Sequence, residues 1–196
     1  MRFIDGEVEY YELCVLENGG VEQDPIEWGE AMCKSTKRLL ERMEILKEEI
    51  KGISFCSQMQ TLVMADDKGH ALRKAMSCMD TRASKQFSDY MSKGIKVEGL
   101  NLYKVFRFLQ ITGAVSASTK DPLWKYHWVR ENEPEIFAKT YKWLDAKEYL
   151  TNRATGIMKV SKDVASATFL YDIKKDCWSK ELCNLFDINM KHLPEV

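Results

Sequence analysis

Alternating polar and apolar residues in the first part of this chain predict β-strands. The segment at 8–15 alternates in this way, which is typical of a strand with one wet face. The runs at 53–55 and 62–65 predict two buried strands, and Asp66 to Gly69 has the Asp and Gly chemistry of a hairpin turn. We therefore expect a short mixed sheet in the N-terminal half.

A helix is predicted between these strands. Asp24 supplies an oxygen-bearing cap, Pro25 occupies the first helical position, and Glu27 places a carboxylate near the positive end of the helix dipole. We expect this helix to extend to about Met43. The residues of its apolar face are Trp28, Ala31, Met32, Leu39 and Met43. A helix between strands indicates that α and β elements pack on each other.

After Asp80 the apolar residues recur at helical spacing for the rest of the chain. Glycines and residue-proline pairs separate the helical segments from one another. The predicted fold class is therefore α/β, with a short mixed sheet followed by a mainly helical half. The predicted helices are Ala83–Met91, Leu102–Leu109, Pro122–Val129, Pro134–Lys139, Leu144–Leu150 and Trp178–Phe186.

The chain begins inside a predicted hairpin. Phe3 and Ile4 form a short first arm, and Asp5-Gly6 is a strong hairpin turn. A short apolar edge without a neighbouring strand leaves main-chain groups unpaired. We therefore expect further residues of the protein upstream of Met1.

Composition narrows the classes of function. The 29 Lys and Arg residues balance 30 Asp and Glu residues, so we expect neither nucleic acid nor a membrane as a partner. No apolar run approaches the roughly 18 residues of a membrane span. The six cysteines form no Cys-x-x-Cys pair and the three histidines are far apart, so no metal site is predicted. Free thiols favour a cytoplasmic protein, and 196 residues suffice for one domain or for a piece of a larger one.

Polar side chains at two strand ends form the candidate site. Gln58 and Gln60 follow the first buried strand, and their amides offer the donors and acceptors that suit the hydroxyls of a sugar or polyol. Asp80 and Arg82 stand before the helix predicted to begin at Ala83. Two simpler interpretations stay open: the glutamines cap a strand end, and Asp80 pairs with Arg82 and caps the helix.

Six segments, in order, resemble the FGGY family of carbohydrate kinases, and among its members the xylulokinase-like pentulose kinases. These segments are ENGGVEQDPIEW at 17–28, GISFCSQMQTLVMADDKGHALRKAMSCMDTRA at 52–83, ITGAVSASTKDPLWKYHWVRENEPEIF at 111–137, WLDAKEYLTNRATG at 143–156, VSKDVASATFLYDI at 160–173 and WSKELCNLF at 178–186. The resemblance implies an α/β fold, namely part of an actin-like (ribonuclease H-like) first domain of a sugar kinase. Residues 1–196 would then be a single partial sugar-binding domain.

The resemblance also implies which residues meet the substrate. Gln58, Met59 and Gln60 match a family segment of Gln-Met-His-Gly type, whose second and third positions contact the sugar. Gln60 stands where a histidine or glutamate is usual, so it can donate and accept hydrogen bonds but carries no charge or labile proton. Asp80 and Arg82 match a Trp-x-Asp-x-Arg element whose aromatic residue is missing here, which removes a surface for the apolar face of a sugar.

Two further features of the matching segments favour structural roles. Ser116 to Lys120 matches a family segment near the cleft, but an exposed lysine ahead of a helix is usually only solvated. The tryptophans at helical spacing among apolar residues are predicted to belong to the core. These tryptophans are Trp124, Trp128, Trp143 and Trp178.

Other parts of the family pattern are expected outside these residues. A phosphate-facing Asp-x-Gly-Thr hairpin would precede Met1, and the general-base aspartate and the ATP-binding domain would follow Val196, so no catalytic residue is assigned here. The complete enzyme would use ATP and Mg²⁺ to phosphorylate a ketopentose such as xylulose, whereas the chain alone is expected to bind neither and to be inactive. The implied partner is a small-molecule sugar or polyol, and a homodimer of the complete enzyme stays open. The alternative is a non-catalytic sugar-binding or protein-interaction module on a kinase-like scaffold.

Overall fold

The computed structural model of this protein describes Phe3 and residues 5–196. Its strands are β1 (Cys14–Val15), β2 (Val21–Gln23), β3 (Val63–Ala65), β4 (Ala75–Met76), β5 (Lys96–Val97), β6 (Leu100–Asn101), β7 (Lys142–Leu144), β8 (Tyr171–Asp172) and β9 (Cys177–Trp178). Its helices are α1 (Pro25–Arg42), α2 (Ser84–Met91), α3 (Leu102–Thr112), α4 (Pro122–Asn132), α5 (Pro134–Lys139), α6 (Ala146–Thr155), α7 (Lys162–Ala167) and α8 (Lys180–Leu185).

Short antiparallel pairs of strands build the β part of the structure. β2 lies between β1 and β4, and β3 pairs with β7 so that Met64 lies opposite Trp143. An isolated bridge joins Leu62, just before β3, to Met76 of β4 through two backbone hydrogen bonds of 3.0 and 3.1 Å. This bridge places the loop that leads into β3 beside the segment that follows β4.

The turn predicted at Asp66–Gly69 is confirmed. The Asp66 Oδ1 atom accepts hydrogen bonds from the N–H groups of Lys68 at 2.9 Å and His70 at 2.8 Å. Gly69 has φ +79°, and a Cβ there would overlap the Asn152 side chain. Glycine is therefore required by both the backbone conformation and the close approach of α6.

One strand prediction is wrong in extent and another is wrong altogether. The segment predicted at 8–15 is paired only at Cys14–Val15, and the segment predicted at 53–55 is not a strand. A strand needs a neighbour for its main-chain groups, and these stretches have no sheet neighbour within Phe3 and residues 5–196. Ile53 is 71% exposed as a result. The predicted first hairpin arm includes Ile4, which lies outside the described residues.

The predicted start of α1 is confirmed. The Asp24 Oδ1 atom accepts a hydrogen bond of 2.9 Å from the Ile26 N–H and so caps the helix. The helix ends at Arg42, one residue before the predicted end. Its buried residue Trp28 packs edge to face on Tyr149 of α6, with 6.1 Å between the ring centroids. α1 and α6 therefore pack in one buried cluster with residues of β3, β4 and β7.

The second half is mainly helical, as predicted, and α5 has the predicted bounds. The spacing does not predict α7, because six residues make fewer than two turns and only Val164 and Ala165 among them are buried. The main core lies among α2, α3, α4 and α8, where Phe108 stacks on Phe186 with 4.7 Å between ring centroids. No helix within the described part of the chain combines the length and the apolarity that a bilayer crossing requires.

The four tryptophans predicted to be core residues divide into two pairs. Trp124 and Trp143 are 0% and 3% exposed. Trp128 and Trp178 are half-buried and pack against the core. Trp128 also lies beside the candidate site, because the guanidinium of Arg82 lies over its ring.

Candidate functional site

The loop before β3 is anchored through its backbone. Gln60 has φ +63°, in the left-handed region that residues other than glycine rarely adopt. Its N–H donates to Asp145 Oδ2 at 2.7 Å, and the N–H of Thr61 donates to Asp145 Oδ1 at 3.1 Å. The same carboxylate accepts a 2.7 Å hydrogen bond from the Ala146 N–H and so caps α6. One side chain thus ties the loop to the start of a helix.

Two buried carboxyl groups flank Gln60. Burial raises the pKa of Asp145 to about 6, although the backbone N–H groups that it accepts from favour its ionised form. Burial also raises the pKa of Asp121, which accepts hydrogen bonds from Ser116 Oγ at 2.8 Å and the Ser118 N–H at 3.1 Å. The Gln60 Nε2 atom lies 3.4 Å from Asp121 Oδ1. The side-chain amide therefore has a weak internal partner that a ligand can replace.

Gln58 and Met59 have different surroundings. The Gln58 Nε2 atom donates to Gln23 Oε1 at 2.5 Å, and the Gln58 Oε1 atom lies 3.8 Å from Cys78 Sγ. Met59 is 47% exposed. Because no strand precedes these residues at 53–55, the interpretation of the glutamines as caps of a strand end does not hold.

Lys125 is a part of the site that the sequence reasoning missed. Its side chain has no exposed surface, and its Nζ donates to the carbonyl oxygens of Gln60 at 2.9 Å and Ser77 at 2.7 Å. Burial lowers the pKa of Lys125 to about 8. The available signal was a lysine among the mostly apolar and aromatic residues of the helix predicted at 122–129. Lys120, the lysine that the family pattern drew attention to, is exposed.

Asp80 and Arg82 belong to a buried ionic network that also includes Glu22 and Arg73. Asp80 has no exposed surface and accepts from the Val21 N–H at 3.0 Å. The Arg82 Nη2 atom donates to Asp80 Oδ2 at 2.7 Å and to Glu22 Oε1 at 2.5 Å. The guanidinium lies over the Trp128 ring, 4.3 Å from its centroid. Pairing of Asp80 with Arg82 is therefore observed, while α2, as described, starts without a side-chain cap.

The structure brings all five predicted residues to two neighbouring loops but presents them differently. The Gln58–Gln60 loop offers two half-buried amides and an exposed thioether, whereas Asp80 and Arg82 face each other. Among the residues that the structure describes, no three His, Cys, Asp or Glu side chains are grouped to hold a metal ion. The open loop is chemically suited to hydrogen bonding and apolar contact with a polyhydroxylated molecule.

The sequence and the fold match known proteins over nearly the whole chain. The profile of the FGGY family of carbohydrate kinases, N-terminal domain, matches residues 4–196. The xylulose kinase of Lactococcus lactis is 30% identical over 186 residues, which are 95% of this chain and 35% of that protein.

Two solved structures share the fold. A xyloylose kinase from Brucella ovis matches with a TM-score of 0.79 and 25% identity, covering 97% of this chain and 36% of that one. Plasmodium falciparum glycerol kinase with ADP also gives a TM-score of 0.79, with 26% identity, and the match covers 95% of this chain and 37% of that one.

These matches confirm the predicted resemblance and the predicted fold class, which is that of an actin-like (ribonuclease H-like) first domain. The chain spans about a third of the length of the relatives that it matches, 35% for the L. lactis protein. Because the family profile covers residues 4–196, the chain belongs to the FGGY family of carbohydrate kinases.

Proposed function

We propose that this chain is the sugar-binding part of an ATP-dependent kinase whose substrate is a ketopentose such as xylulose or a related sugar. The observation that carries the proposal is the Gln58–Gln60 loop, whose backbone is fixed at Gln60 while its half-buried amides and exposed thioether remain within reach of a ligand. The xylulose kinase of L. lactis supports a ketopentose. The glycerol kinase of P. falciparum supports the broader class of polyhydroxylated substrates.

The proposed direct contacts are Gln58, Met59 and Gln60. A glutamine amide can donate to one sugar hydroxyl and accept from another, and the thioether can cover an apolar face of the sugar. Asp80 and Arg82, which the sequence also assigned to substrate binding, act in this proposal by bracing the neighbouring loop. Their side chains are 0% and 6% exposed, which leaves little surface for a ligand.

The proposed kinase requires ATP and Mg²⁺. ATP supplies the phosphoryl group, and Mg²⁺ neutralises charge on the phosphates. The described residues contain no group of acidic or imidazole side chains that fits a metal ion, so no transfer step is assigned to this chain. We propose that the chain alone is catalytically inactive.

We propose a cytoplasmic location for this protein. All six cysteines are free, and free thiols persist in a reducing compartment. The proposed partner is a small sugar, and a homodimer of the complete enzyme stays a prediction.

Sugar binding by the chain tests the proposal. Titration of the ¹⁵N-labelled chain with D-xylulose is expected to shift the amide signals of residues 58–61. Gln60→Ala is expected to weaken binding about tenfold, as for the loss of one hydrogen bond to a hydroxyl. Gln110→Ala, at an exposed glutamine on α3, is the matched control. The absence of any shift with xylulose, ribulose and glycerol would refute the proposal.

ATP turnover separates the kinase proposal from the non-catalytic module. The protein encoded by the full reading frame is expected to release ADP only when a ketopentose is present. Sugar binding without sugar-dependent ADP release would favour a sugar-binding module on a kinase-like scaffold. Sugar-dependent ADP release by the 196-residue chain itself would overturn the proposed inactivity of the chain alone.

A further inference from the structure

Lys125 is a buried cation whose hydrogen bonds within the described part of the chain go to backbone carbonyls. The Nζ atom donates to Gln60 O at 2.9 Å and to Ser77 O at 2.7 Å. Taking an ammonium group out of water is costly unless polar partners replace the water. The two carbonyl oxygens supply part of that replacement, and they come from two different loops.

These two loops are the ones that carry the candidate site. Gln60 lies in the loop before β3, and Ser77 lies at the start of the segment that follows β4 and leads to Asp80. Lys125 lies on α4, so one side chain joins three elements. Its removal is therefore expected to act on the site as well as on the core.

The peptide unit between Gln60 and Thr61 is held from both sides. Its carbonyl oxygen accepts from Lys125 at 2.9 Å, and its N–H donates to Asp145 at 3.1 Å. The left-handed conformation of Gln60 costs about 1–2 kcal/mol for a residue with a Cβ. Such a conformation persists only when surrounding contacts fix it.

We propose that Lys125 is a positioning residue of the sugar site, whose ammonium group holds the Gln60 peptide in the left-handed conformation that presents the Gln60 amide to the sugar. The part of this inference that concerns the sugar rests on the proposed function. The proposed effect of Lys125 on the Gln60 backbone does not rest on the proposed function, and it can be measured without any ligand.

The charge on Lys125 makes its hydrogen bond to the Gln60 carbonyl dependent on pH. Burial is the largest influence on Lys125 and lowers its pKa to about 8. The neighbouring groups that favour its charged form are Asp80, Cys78, Asp145 and Asp121. Loss of the proton converts a charge-assisted donor into a neutral amine, which forms weaker hydrogen bonds. The Gln60 peptide is therefore expected to loosen as the pH rises through the pKa of Lys125.

Carbonyl chemical shifts of the unaltered chain test the hold without sugar. The ¹³C shifts of the Gln60 and Ser77 carbonyls are expected to change with the same midpoint as the ¹³Cε shift of Lys125. A nearby carboxyl such as Asp145 titrates at lower pH and is separated by its midpoint, near 6. Gln60 and Ser77 carbonyl shifts that stay constant through the Lys125 midpoint would overturn the proposal.

Variants then test the consequence for binding. Lys125→Met is expected to raise the Kd for D-xylulose about tenfold and to speed hydrogen exchange of the Thr61 amide. Lys125→Arg, which keeps the charge, is expected to restore part of the affinity. Lys120→Met removes an exposed lysine five residues away and is expected to change neither measurement. Equal effects of the Met substitutions at 120 and 125 would contradict the proposal.

A double-mutant cycle distinguishes positioning from a general loss of stability. If Lys125 acts through Gln60, then Gln60→Ala combined with Lys125→Met binds no more weakly than Gln60→Ala alone. Additive losses of affinity would overturn the positioning role. If Lys125→Met does not fold, the carbonyl titration of the unaltered chain still decides. If the unaltered chain binds no sugar, the proposed function is wrong. The carbonyl shifts then still show whether Lys125 fixes the Gln60 peptide.

Discussion

The two polar segments at 58–60 and 80–82 have a similar signature in the sequence and opposite surroundings in the fold. In the first segment the backbone is anchored and the side chains remain accessible, with Met59 47% exposed. In the second segment the side chains are paired with each other, and Asp80 has no exposed surface. Polar side chains that follow an apolar run in the sequence can therefore either remain accessible to a ligand or pair with each other in the interior.

The difference between the segments follows from charge. Asp80 and Arg82 carry opposite charges, and buried charges are tolerated only when they are paired and hydrogen-bonded. A glutamine amide is neutral, so it can remain half-buried with a weak internal partner, as the 3.4 Å contact of Gln60 with Asp121 shows. Neutral amides are thus better placed to exchange a partner for a ligand.

Removing the cation of the paired segment at 80–82 is expected to have the largest effect on the free energy of unfolding. Arg82→Met leaves the carboxylates of Asp80 and Glu22 without this cation, and we expect a loss of about 3–5 kcal/mol in the free energy of unfolding, measured by urea denaturation. Arg38→Met is the control, because its 2.6 Å contact with Glu9 is exposed and screened by water. We expect that variant to unfold at nearly the same urea concentration as the unaltered chain. Similar losses in the free energy of unfolding for both variants would contradict the proposed difference between the buried and the exposed ion pair.

The next largest effect is expected from Asp145, whose carboxylate anchors the segment at 58–60. This effect is a dependence of the free energy of unfolding on pH. The pKa of Asp145 is raised from 3.8 to about 6 in the folded state, so the folded chain binds more protons than the unfolded chain between these values. Its contribution to the free energy of unfolding is therefore present below pH 4 and falls by about 3 kcal/mol as the pH rises through 6. The difference between the unaltered chain and Asp145→Asn, measured at several pH values, isolates this contribution.

The ¹³Cγ shift of Asp145 checks the same prediction directly. We expect its midpoint near 6, accompanied by shifts of the Gln60 and Thr61 amides. Asp163 is the opposite case, since hydrogen bonds from Ser161 and Lys147 lower its pKa to about 2. An Asp145 midpoint near 4 would show that burial does not control this group.

A smaller effect is expected from the conformation of Gln60. Gln60→Gly is expected to be more stable than Gln60→Ala by about 1 kcal/mol, because glycine adopts positive φ without the Cβ penalty. Both variants are expected to lose the same sugar affinity. Gly156→Ala is the matched control: Gly156 has φ +74° and open space around it, so alanine there is expected to cost a similar free energy of unfolding. A Gln60→Gly chain that is less stable than Gln60→Ala would contradict the strained conformation.

The sequence predicts the open loop but not the lysine that supports it. Gln58, Met59 and Gln60 are recognisable because polar residues end an apolar run and match a family segment. Lys125 is a lysine among the apolar and aromatic residues of the first two turns of α4, and its partners Gln60 and Ser77 lie 65 and 48 residues away. Spacing along the chain contains no information about such partners.

The pairing of Asp80 with Arg82 shows a second limit. These residues are two apart, so the sequence allows an ion pair as readily as a sugar contact. Glu22, 60 residues from Arg82, accepts a further hydrogen bond from the guanidinium and also pairs with Arg73. The choice between the two interpretations depends on a partner that local sequence does not identify.

The sequence by itself determined the elements whose stabilising contacts lie within a few residues. Asp24 caps α1 through the N–H of Ile26, and α5 has the bounds that its proline and its spacing predict. The tertiary structure alone decided that the segment at 53–55 is not a strand and that Lys125 is buried against two loops. The physical reason is that caps and helical hydrogen bonds join near neighbours, whereas strands and buried charges depend on partners that only folding brings together.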